Sequence, residues 1–224
     1  LEYLHDKFSA YIDDRRRNPR GDVLSDMAAA TFPDGSVPDA GDVARVAANL
    51  YSAGQETTVR LLSAALQVLG ERPDIQAQLR ADRSKVGNFI EEALRYEGPV
   101  KGDFRMAKQA VTLAGVEVPA GATLMVVNAA ANRDPRRFTD PDTFDPVRSN
   151  ARQHIAFGRG VHTCPGAPLA RAETRTALER ILDRTTDIRI SEAHHGPAGA
   201  RRYSDVPTYI LRGLTELHLE FDLS

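Results

Sequence analysis

The sequence predicts a mainly α-helical fold with small β-sheets, that is, an α+β protein. Apolar residues recur at steps of three and four over long stretches without proline, most clearly over residues 39–70. This spacing is typical of helices that bury one face. Apolar and polar residues alternate only over residues 111–118 and 123–127, where short strands are therefore expected. Helical periodicity covers much more of the chain than alternation does.

The elements can be justified in order along the chain. The first helix should end at the turn Asn18-Pro-Arg-Gly21, and the second should begin at Asp22, because such residues stop and start helices. The long helix would measure about 45 Å at about 1.5 Å per residue. The predicted elements are helices over residues 1–18, 22–31, about 39–70, 73–82, about 84–97 and 166–184, strands over 111–118 and 123–127, a proline-rich irregular stretch over 135–153, and strand and loop over 186–224.

Size and composition exclude several classes of protein. The chain has 224 residues, of which 42% are hydrophobic and 27% charged, and its net charge is -2. We expect a soluble, cytoplasmic protein, because no apolar run reaches the roughly 18 to 20 residues of a membrane span and no signal peptide opens the chain. The near-neutral charge gives no basis for nucleic-acid binding. A single cysteine excludes an internal disulfide and fits a reducing compartment.

That cysteine, Cys164, lies in the glycine-bracketed segment Phe157-Gly-Arg-Gly-Val-His-Thr-Cys-Pro-Gly166, just before a predicted helix. The unpaired N–H groups of a helix N-terminus stabilise the anionic form of a thiol, and Pro165 suits the first turn of a helix. One thiolate cannot build a zinc or iron–sulfur site of about four ligands, but it is what a haem iron takes as an axial ligand. The alternative is a buried structural cysteine near a turn.

An unfavourable glycine interrupts the long predicted helix. The segment reads Ala53-Gly54-Gln55-Glu56-Thr57-Thr58, and a glycine costs about 1 kcal/mol of helix propensity relative to alanine. Such a choice suggests a function or a demand for close packing. The alternative is that the threonines hydrogen-bond back to the helix carbonyls while the carboxylate faces solvent.

A charged pair lies on the helix of about 84–97. Glu92 and Arg95 are three residues apart, so they share a helix face and can pair directly. Most such pairs are surface decoration worth under about 1 kcal/mol. A further arginine, Arg148, lies downstream in the segment Phe144-Asp-Pro-Val-Arg148.

Together these segments resemble the cytochrome P450 family of haem-thiolate monooxygenases. Residues 157–166 match the family's signature Phe-x-x-Gly-x-(His or Arg)-x-Cys-x-Gly, and residues 53–58 are similar to its oxygen-binding groove. Glu92, Arg95 and Arg148 are similar to its Glu-x-x-Arg pair and the arginine that locks it. The small number of residues between Arg95 and Cys164 implies a family member of the soluble bacterial type. The resemblance covers residues 1–224 as the C-terminal half of a single P450 domain, and a start inside a helical pattern without an initiator Met agrees with that.

The resemblance also implies roles for individual residues. Cys164 is the expected axial ligand of the haem iron, Thr57 is expected to hydrogen-bond dioxygen, and Glu56 to relay protons towards it. Gly54 would let the helix backbone approach the haem and widen at a bulge. The other expected haem contacts are His162, Arg105, Phe157, Gly158, Gly166, Ala53 and His154. Glu92, Arg95 and Arg148 are expected to be structural, and Val100, Phe104 and Ile210 to face substrate from segments 99–104 and 207–211.

The function that the resemblance implies is insertion of one atom of O2 into a lipophilic organic substrate. The cofactor would be haem b (iron protoporphyrin IX), with O2 as co-substrate and electrons from a ferredoxin-type donor. A basic face around Arg159, Arg171 and Arg175 would dock that donor, although solvated arginines on a helix are an equal alternative. Two other functions stay open: a truncated, non-catalytic helical module that does not hold haem alone, or a family member that uses peroxide.

Overall fold

A computed structural model describes residues 2–224. Its helices are α1 (Glu2–Arg17), α2 (Val23–Ala29), α3 (Ala40–Glu71), α4 (Pro73–Ala81), α5 (Val86–Glu97), α6 (Asn128–Ala131), α7 (Ala167–Arg184) and α8 (Glu192–His195). Its strands are β1 (Asp103–Met106), β2 (Val111–Leu113), β3 (Val116–Val118), β4 (Thr123–Val126), β5 (Thr185–Ile190) and β6 (Leu219–Leu223). Over residues 2–224, none of the helices combines the length and apolar character that a bilayer crossing requires.

The chain divides into two compact units, and the boundary falls inside α3, after Glu56. The first unit holds α1, α2 and the first half of α3. Its core is formed by Ile12, Ala28 and Val43, one from each helix. Asp22 caps α2, because its carboxylate accepts the Ser25 amide hydrogen at 2.8 Å.

The second unit, Thr57–Ser224, contains the larger core. The second half of α3 contributes Leu61, Ala65 and Leu69 at helical spacing. Helices α4, α5 and α7 pack their apolar faces around these residues, and β5 closes the cluster with Ile188. The cluster members from α4, α5 and α7 are Ile75, Leu79, Val86, Phe89, Ile90, Ala93, Leu94, Leu178 and Leu182.

All sheets of the second unit are two-stranded and antiparallel: β1 with β4, β2 with β3, and β5 with β6. A two-residue turn joins β2 to β3, and both of its residues, Ala114 and Gly115, have positive φ. Two positive φ angles are the mark of a type I′ turn, whose twist matches that of the strands it joins. The β1–β4 pair runs from Asp103 opposite Val126 to Met106 opposite Thr123.

Most predicted elements are present within a few residues of their expected bounds. Strand β1 and the short helices α6 and α8 were not predicted from the sequence. The predicted helix over 84–97 begins with a 3-10 turn, Arg83–Lys85, before α5. The expected bulge at Gly54 is wrong, because α3 is an uninterrupted α-helix from Ala40 to Glu71.

Candidate active site

Cys164 is half-buried and lies at the end of a tight loop. Its backbone N–H donates to the Phe157 carbonyl at 2.8 Å, which closes the loop on itself. Inside the loop, Gly158 and Gly160 have φ of 70° and 74°. Glycine adopts this left-handed conformation without the steric strain that a side chain would add. The glycines therefore allow the chain to return to Phe157 within seven residues.

Helix α7 begins at Ala167, three residues after the cysteine. Gly166 is its N-cap, and a Cβ added there would lie 3.7 Å from the Cys164 Sγ. The proline of the first turn is Pro168, not Pro165 as the sequence suggested, since α7 begins two residues after Pro165. The Ala167 amide donates to the Cys164 carbonyl at 3.3 Å. The thiol thus lies beside the N-terminus of α7.

The three residues predicted to be structural, Glu92, Arg95 and Arg148, form one buried network. Both oxygens of Glu92 accept hydrogen bonds from Arg95, at 2.7 Å each, and the Arg148 Nε donates to them at 3.1 and 3.2 Å. The backbone N–H of Asp145 donates to Glu92 at 2.9 Å. The side chains of Glu92 and Arg95 are fully buried. Through Arg148 and Asp145, the Glu92 carboxylate connects α5 to the irregular stretch that precedes the cysteine loop.

A second buried carboxylate, Glu91, was not predicted. Arg171 donates to both of its oxygens, at 2.7 and 3.0 Å, and His154 Nε2 lies 3.0 Å from Oε2. Burial acts to raise the pKa of Glu91, but the hydrogen bonds from His154 and Arg171, together with the charge of Arg171, outweigh it and lower the pKa to about 2. Adjacent residues on a helix point about 100° apart. This was the only sign in the sequence that Glu91 and Glu92 contact different segments of the chain.

His154 has both ring nitrogens engaged. Its Nδ1 accepts the Ala156 amide hydrogen at 3.0 Å, so the ring proton lies on Nε2 and points to Glu91. The side chain is buried. No ring nitrogen is left for a haem carboxylate, so this geometry favours a structural role for His154 over the haem contact expected from the resemblance.

The polar segment of α3 has an open side. Ala53, Gly54 and Glu56 are exposed and Thr57 is half-buried, while a Cβ added to Gly54 would meet no atom within 4 Å. The glycine is therefore not required by packing against neighbouring protein atoms. It leaves this stretch of helix backbone without side-chain cover on one face.

The two segments expected to face substrate lie side by side. The Lys101 N–H donates to the Ile210 carbonyl at 2.7 Å, and its ammonium donates to the Thr208 carbonyl at 2.6 Å. Val100 also pairs with Leu211 in an antiparallel bridge. Phe104 and Ile210 are 51% and 40% exposed, so apolar surface is displayed by both segments.

Comparison with known proteins supplies the family. A model described as "Cytochrome P450" matches residues 2–186. The chain belongs to the cytochrome P450 family. It is 39% identical over 214 residues to the cytochrome P450 monooxygenase PikC of Streptomyces venezuelae, covering 95% of this chain and 50% of that protein. It is 40% identical over 190 residues to cytochrome P450 144 of Mycobacterium tuberculosis, covering 85% of this chain and 42% of that protein.

Solved P450 structures confirm the α+β fold. The substrate-free cytochrome P450 CYP150A6 of Mycobacterium marinum matches the whole chain with a TM-score of 0.96 and 60% identity, over 55% of its own length. CYP109E1 of Bacillus megaterium with corticosterone matches 98% of the chain with a TM-score of 0.89 and 31% identity, over 57% of its own length. The chain thus spans about half the length of the P450 relatives that it matches.

The residues around the P450 cysteine loop fit a haem group. A cavity of about 620 Å³ is lined by Arg105 from β1 and by Arg159 and His162 from the loop. Gly158 lines the same cavity, and a Cβ added to it would lie 3.4 Å from the His162 carbonyl oxygen. Haem carries two carboxylates at its edge, which need cations or hydrogen-bond donors. Arg105 and His162, the two predicted partners of the haem carboxylates, both line this cavity.

The three arginines expected to dock an electron donor differ in their surroundings. Arg171 forms an ion pair with Glu91, and its guanidinium also lies 4.6 Å from the centre of the Phe157 ring. Arg175 pairs with Glu179 one turn along α7 at 2.8 Å. Arg159 is exposed at the cavity mouth. Arg171 is therefore part of the internal structure of this P450 chain rather than of a free basic face.

Proposed function

We propose that this chain forms the thiolate-bearing half of a cytoplasmic haem-thiolate monooxygenase. The enzyme would insert one atom of O2 into a lipophilic substrate, with electrons from a ferredoxin-type donor. The observation that carries the proposal is the loop in which the only cysteine is held at the start of α7, beside a cavity that Arg105 and His162 both line. Membership of the P450 family supports it.

The cofactor expected in this site is haem b, which would supply the redox chemistry when bound. Cys164 Sγ would be the ligand of its iron, because it is the only thiol of the chain and lies beside the N-terminus of α7. Arg105 and His162, which line one cavity, would bind the haem carboxylates. Phe157, Gly158 and Gly166 would shape the loop so that a flat group can approach the sulfur.

The polar segment of α3 would supply the residues that handle oxygen and protons. Glu56 is exposed and can take a proton from solvent, and the Thr57 hydroxyl can both accept and donate a hydrogen. We assign to Glu56 the delivery of protons and to Thr57 Oγ1 their transfer towards the oxygen side. Ala53 and Gly54 would keep this face of the helix flat.

The expected substrate is a lipophilic small molecule. The exposed apolar side chains of Phe104 and Ile210, with the half-buried Val100, lie on two segments that hydrogen-bond each other. Among the relatives, one is a 6-deoxyerythronolide B hydroxylase, and CYP109E1 has been solved with corticosterone and with testosterone. These names support a bulky apolar substrate class for this chain. A single cysteine fits the reducing cytoplasm.

The first test is the absorption spectrum of the haem-reconstituted chain, reduced and bound to carbon monoxide. A thiolate ligand should give a Soret band well to the red of that of a histidine ligand, and Cys164→Ser should lose this band completely. Thr163→Ser is the matched control, because it keeps the hydroxyl that donates to the Gly160 carbonyl at 2.9 Å.

Retention of the red-shifted band in Cys164→Ser would refute the axial assignment. No haem uptake by the parent chain would instead favour the non-catalytic module. A normal band that supports turnover with peroxide, but not with a ferredoxin and its reductase, would favour the peroxide-using type.

A further inference from the structure

Glu91 lies at the centre of a cluster that the proposed chemistry does not use. Its side chain is 3% exposed, yet it carries a full negative charge balanced by Arg171 and hydrogen-bonded by His154. Arg152 Nε reaches the same carboxylate from the surface at 3.4 Å. Burying a charge is costly, and pairs of this kind are often no better for stability than apolar side chains. A stabilising role alone therefore does not explain why the carboxylate is there.

Both partners of Glu91 act on the residues that lead into the cysteine loop. His154 is fixed by Glu91 and accepts the Ala156 amide hydrogen at 3.0 Å. Arg171 is fixed by Glu91 through two hydrogen bonds, and its guanidinium carbon lies over the Phe157 ring, 4.6 Å from the ring centre. Phe157 supplies the carbonyl that receives the Cys164 N–H at 2.8 Å.

The contacts form one continuous path. Glu91 on α5 holds one partner before the loop and one partner after it, on α7, and both partners contact the segment from His154 to Phe157. The neighbouring Glu92 network touches this segment through Asn132, whose carbonyl accepts from Arg95 at 3.0 Å and whose Oδ1 accepts the Ile155 N–H at 2.8 Å. Its other acceptors lie between Thr139 and Thr143. Glu91 thus holds both sides of the cysteine loop, whereas Glu92 acts mainly on the irregular stretch.

We propose that Glu91 is a positioning residue for Cys164. Through His154 and Arg171 it holds the segment ending in Phe157, and so fixes the backbone hydrogen bond that places the thiol at the start of α7. The consequence for a haem ligand rests on the proposed function, whereas the position of the loop can be measured without haem.

The test compares the 224-residue chain with Glu91→Gln, Arg171→Lys and Arg175→Lys. Glutamine keeps the shape of Glu91 but replaces one acceptor oxygen with a donor, so it cannot satisfy Arg171 and His154 together. Lysine keeps the charge of Arg171 but loses the planar guanidinium over the Phe157 ring and the paired hydrogen bonds. Arg175 lies one turn further along α7 in an exposed pair with Glu179, and serves as the matched control.

Two readouts report the loop directly: hydrogen exchange of the Cys164 amide, and the alkylation rate of the only thiol. We expect both to rise at least about tenfold in Glu91→Gln, since a hydrogen bond to a charged group is worth about 1.5 to 3 kcal/mol. Arg171→Lys should give a smaller rise and Arg175→Lys none. Amides of Leu79 and Leu178, in the core of the same unit, should speed up by a smaller factor than the Cys164 amide.

Two results would overturn the proposal. In the first, the Cys164 amide exchanges no faster in Glu91→Gln than in the parent. In the second, its exchange rises only in step with the core amides, which would make Glu91 a purely structural residue. After reconstitution, Glu91→Gln should also show a smaller red-shifted fraction of its carbon monoxide spectrum. If the parent chain takes up no haem, the proposed function fails, while the exchange result still decides the role of Glu91.

Discussion

At the scale of single residues, Arg95 shows how a buried charge can be fully satisfied. The residue is 1% exposed, and each of its five guanidinium hydrogens has an acceptor. Two go to Glu92, and the others go to the carbonyl oxygens of Asn132, Pro141 and Thr143. Only arginine has this number of donors in a planar fork, so the site demands arginine rather than simply a positive charge.

Arg95→Lys should therefore destabilise the protein although the charge is kept. We expect the free energy of unfolding to fall by at least about 2 kcal/mol, because several buried carbonyls lose their donor. Urea denaturation measures this. Arg136→Lys is the control, since Arg136 is exposed beside Asp134 and should change stability by less than about 0.5 kcal/mol. Equal effects of the two changes would contradict the importance of the fork.

The sequence predicted part of this residue-scale geometry. The spacing of Glu92 and Arg95 indicated that they could pair, and the resemblance added Arg148. The three carbonyl acceptors could not be predicted, because they lie 37 to 48 residues away in a stretch without periodicity. Glu91 was missed for a similar reason, since its partners are 63 and 80 residues away.

At the scale of elements, the buried Gln76 joins a helix to a strand. It lies on α4, and its side-chain amide pairs with the backbone of Ile188 in β5 in both directions. The Gln76 Nε2 donates to the Ile188 carbonyl at 2.9 Å, and the Ile188 N–H donates to Oε1 at 3.0 Å. The Gln76 side chain thus makes the two backbone hydrogen bonds that a neighbouring strand would otherwise make with Ile188.

Gln76→Ala should weaken the attachment of β5 to α4. Two buried backbone groups would lose their partners, and we expect the free energy of unfolding to fall by about 2 to 3 kcal/mol. Gln78→Ala, on the exposed side of the same helix, should be nearly neutral. Denaturant titration of both variants tests this, and a neutral Gln76→Ala would show that water replaces the amide.

The elements themselves were predictable in proportion to their length. Helix α3 has many turns of consistent periodicity, so its bounds were predicted to within one residue at each end. Strand β1 was missed because Asp103-Phe-Arg-Met106 is too short to show alternation, and its partner β4 begins only at Thr123. Short strands of this kind depend on their neighbours more than on their own residues.

At the scale of the whole molecule, the low pKa of Glu91 links folding to pH. A carboxyl whose pKa is lower in the folded state stabilises the protein above its unfolded pKa of about 4.5. This contribution is lost as the pH falls towards the folded value of about 2. The relevant window is therefore strongly acidic, and stability at neutral pH includes the full contribution of Glu91.

The free energy of unfolding should fall more steeply in the parent than in Glu91→Gln as the pH is lowered from 4.5 to 2. Glutamine does not titrate, so the difference between the two curves isolates Glu91 from the other carboxylates. Urea denaturation at several pH values gives both curves. Parallel curves would mean that the pKa of Glu91 is close to its ordinary value.

Under the proposed function, the link between residues 99–104 and 207–211 has a consequence for how the substrate range can evolve. The two segments are more than a hundred positions apart in the chain, yet the Lys101 ammonium and backbone N–H both bind carbonyls of the later one. An insertion or a bulky replacement in one segment must therefore displace the other. New specificities should arise by paired changes in both segments, and their effects on substrate choice should not be additive.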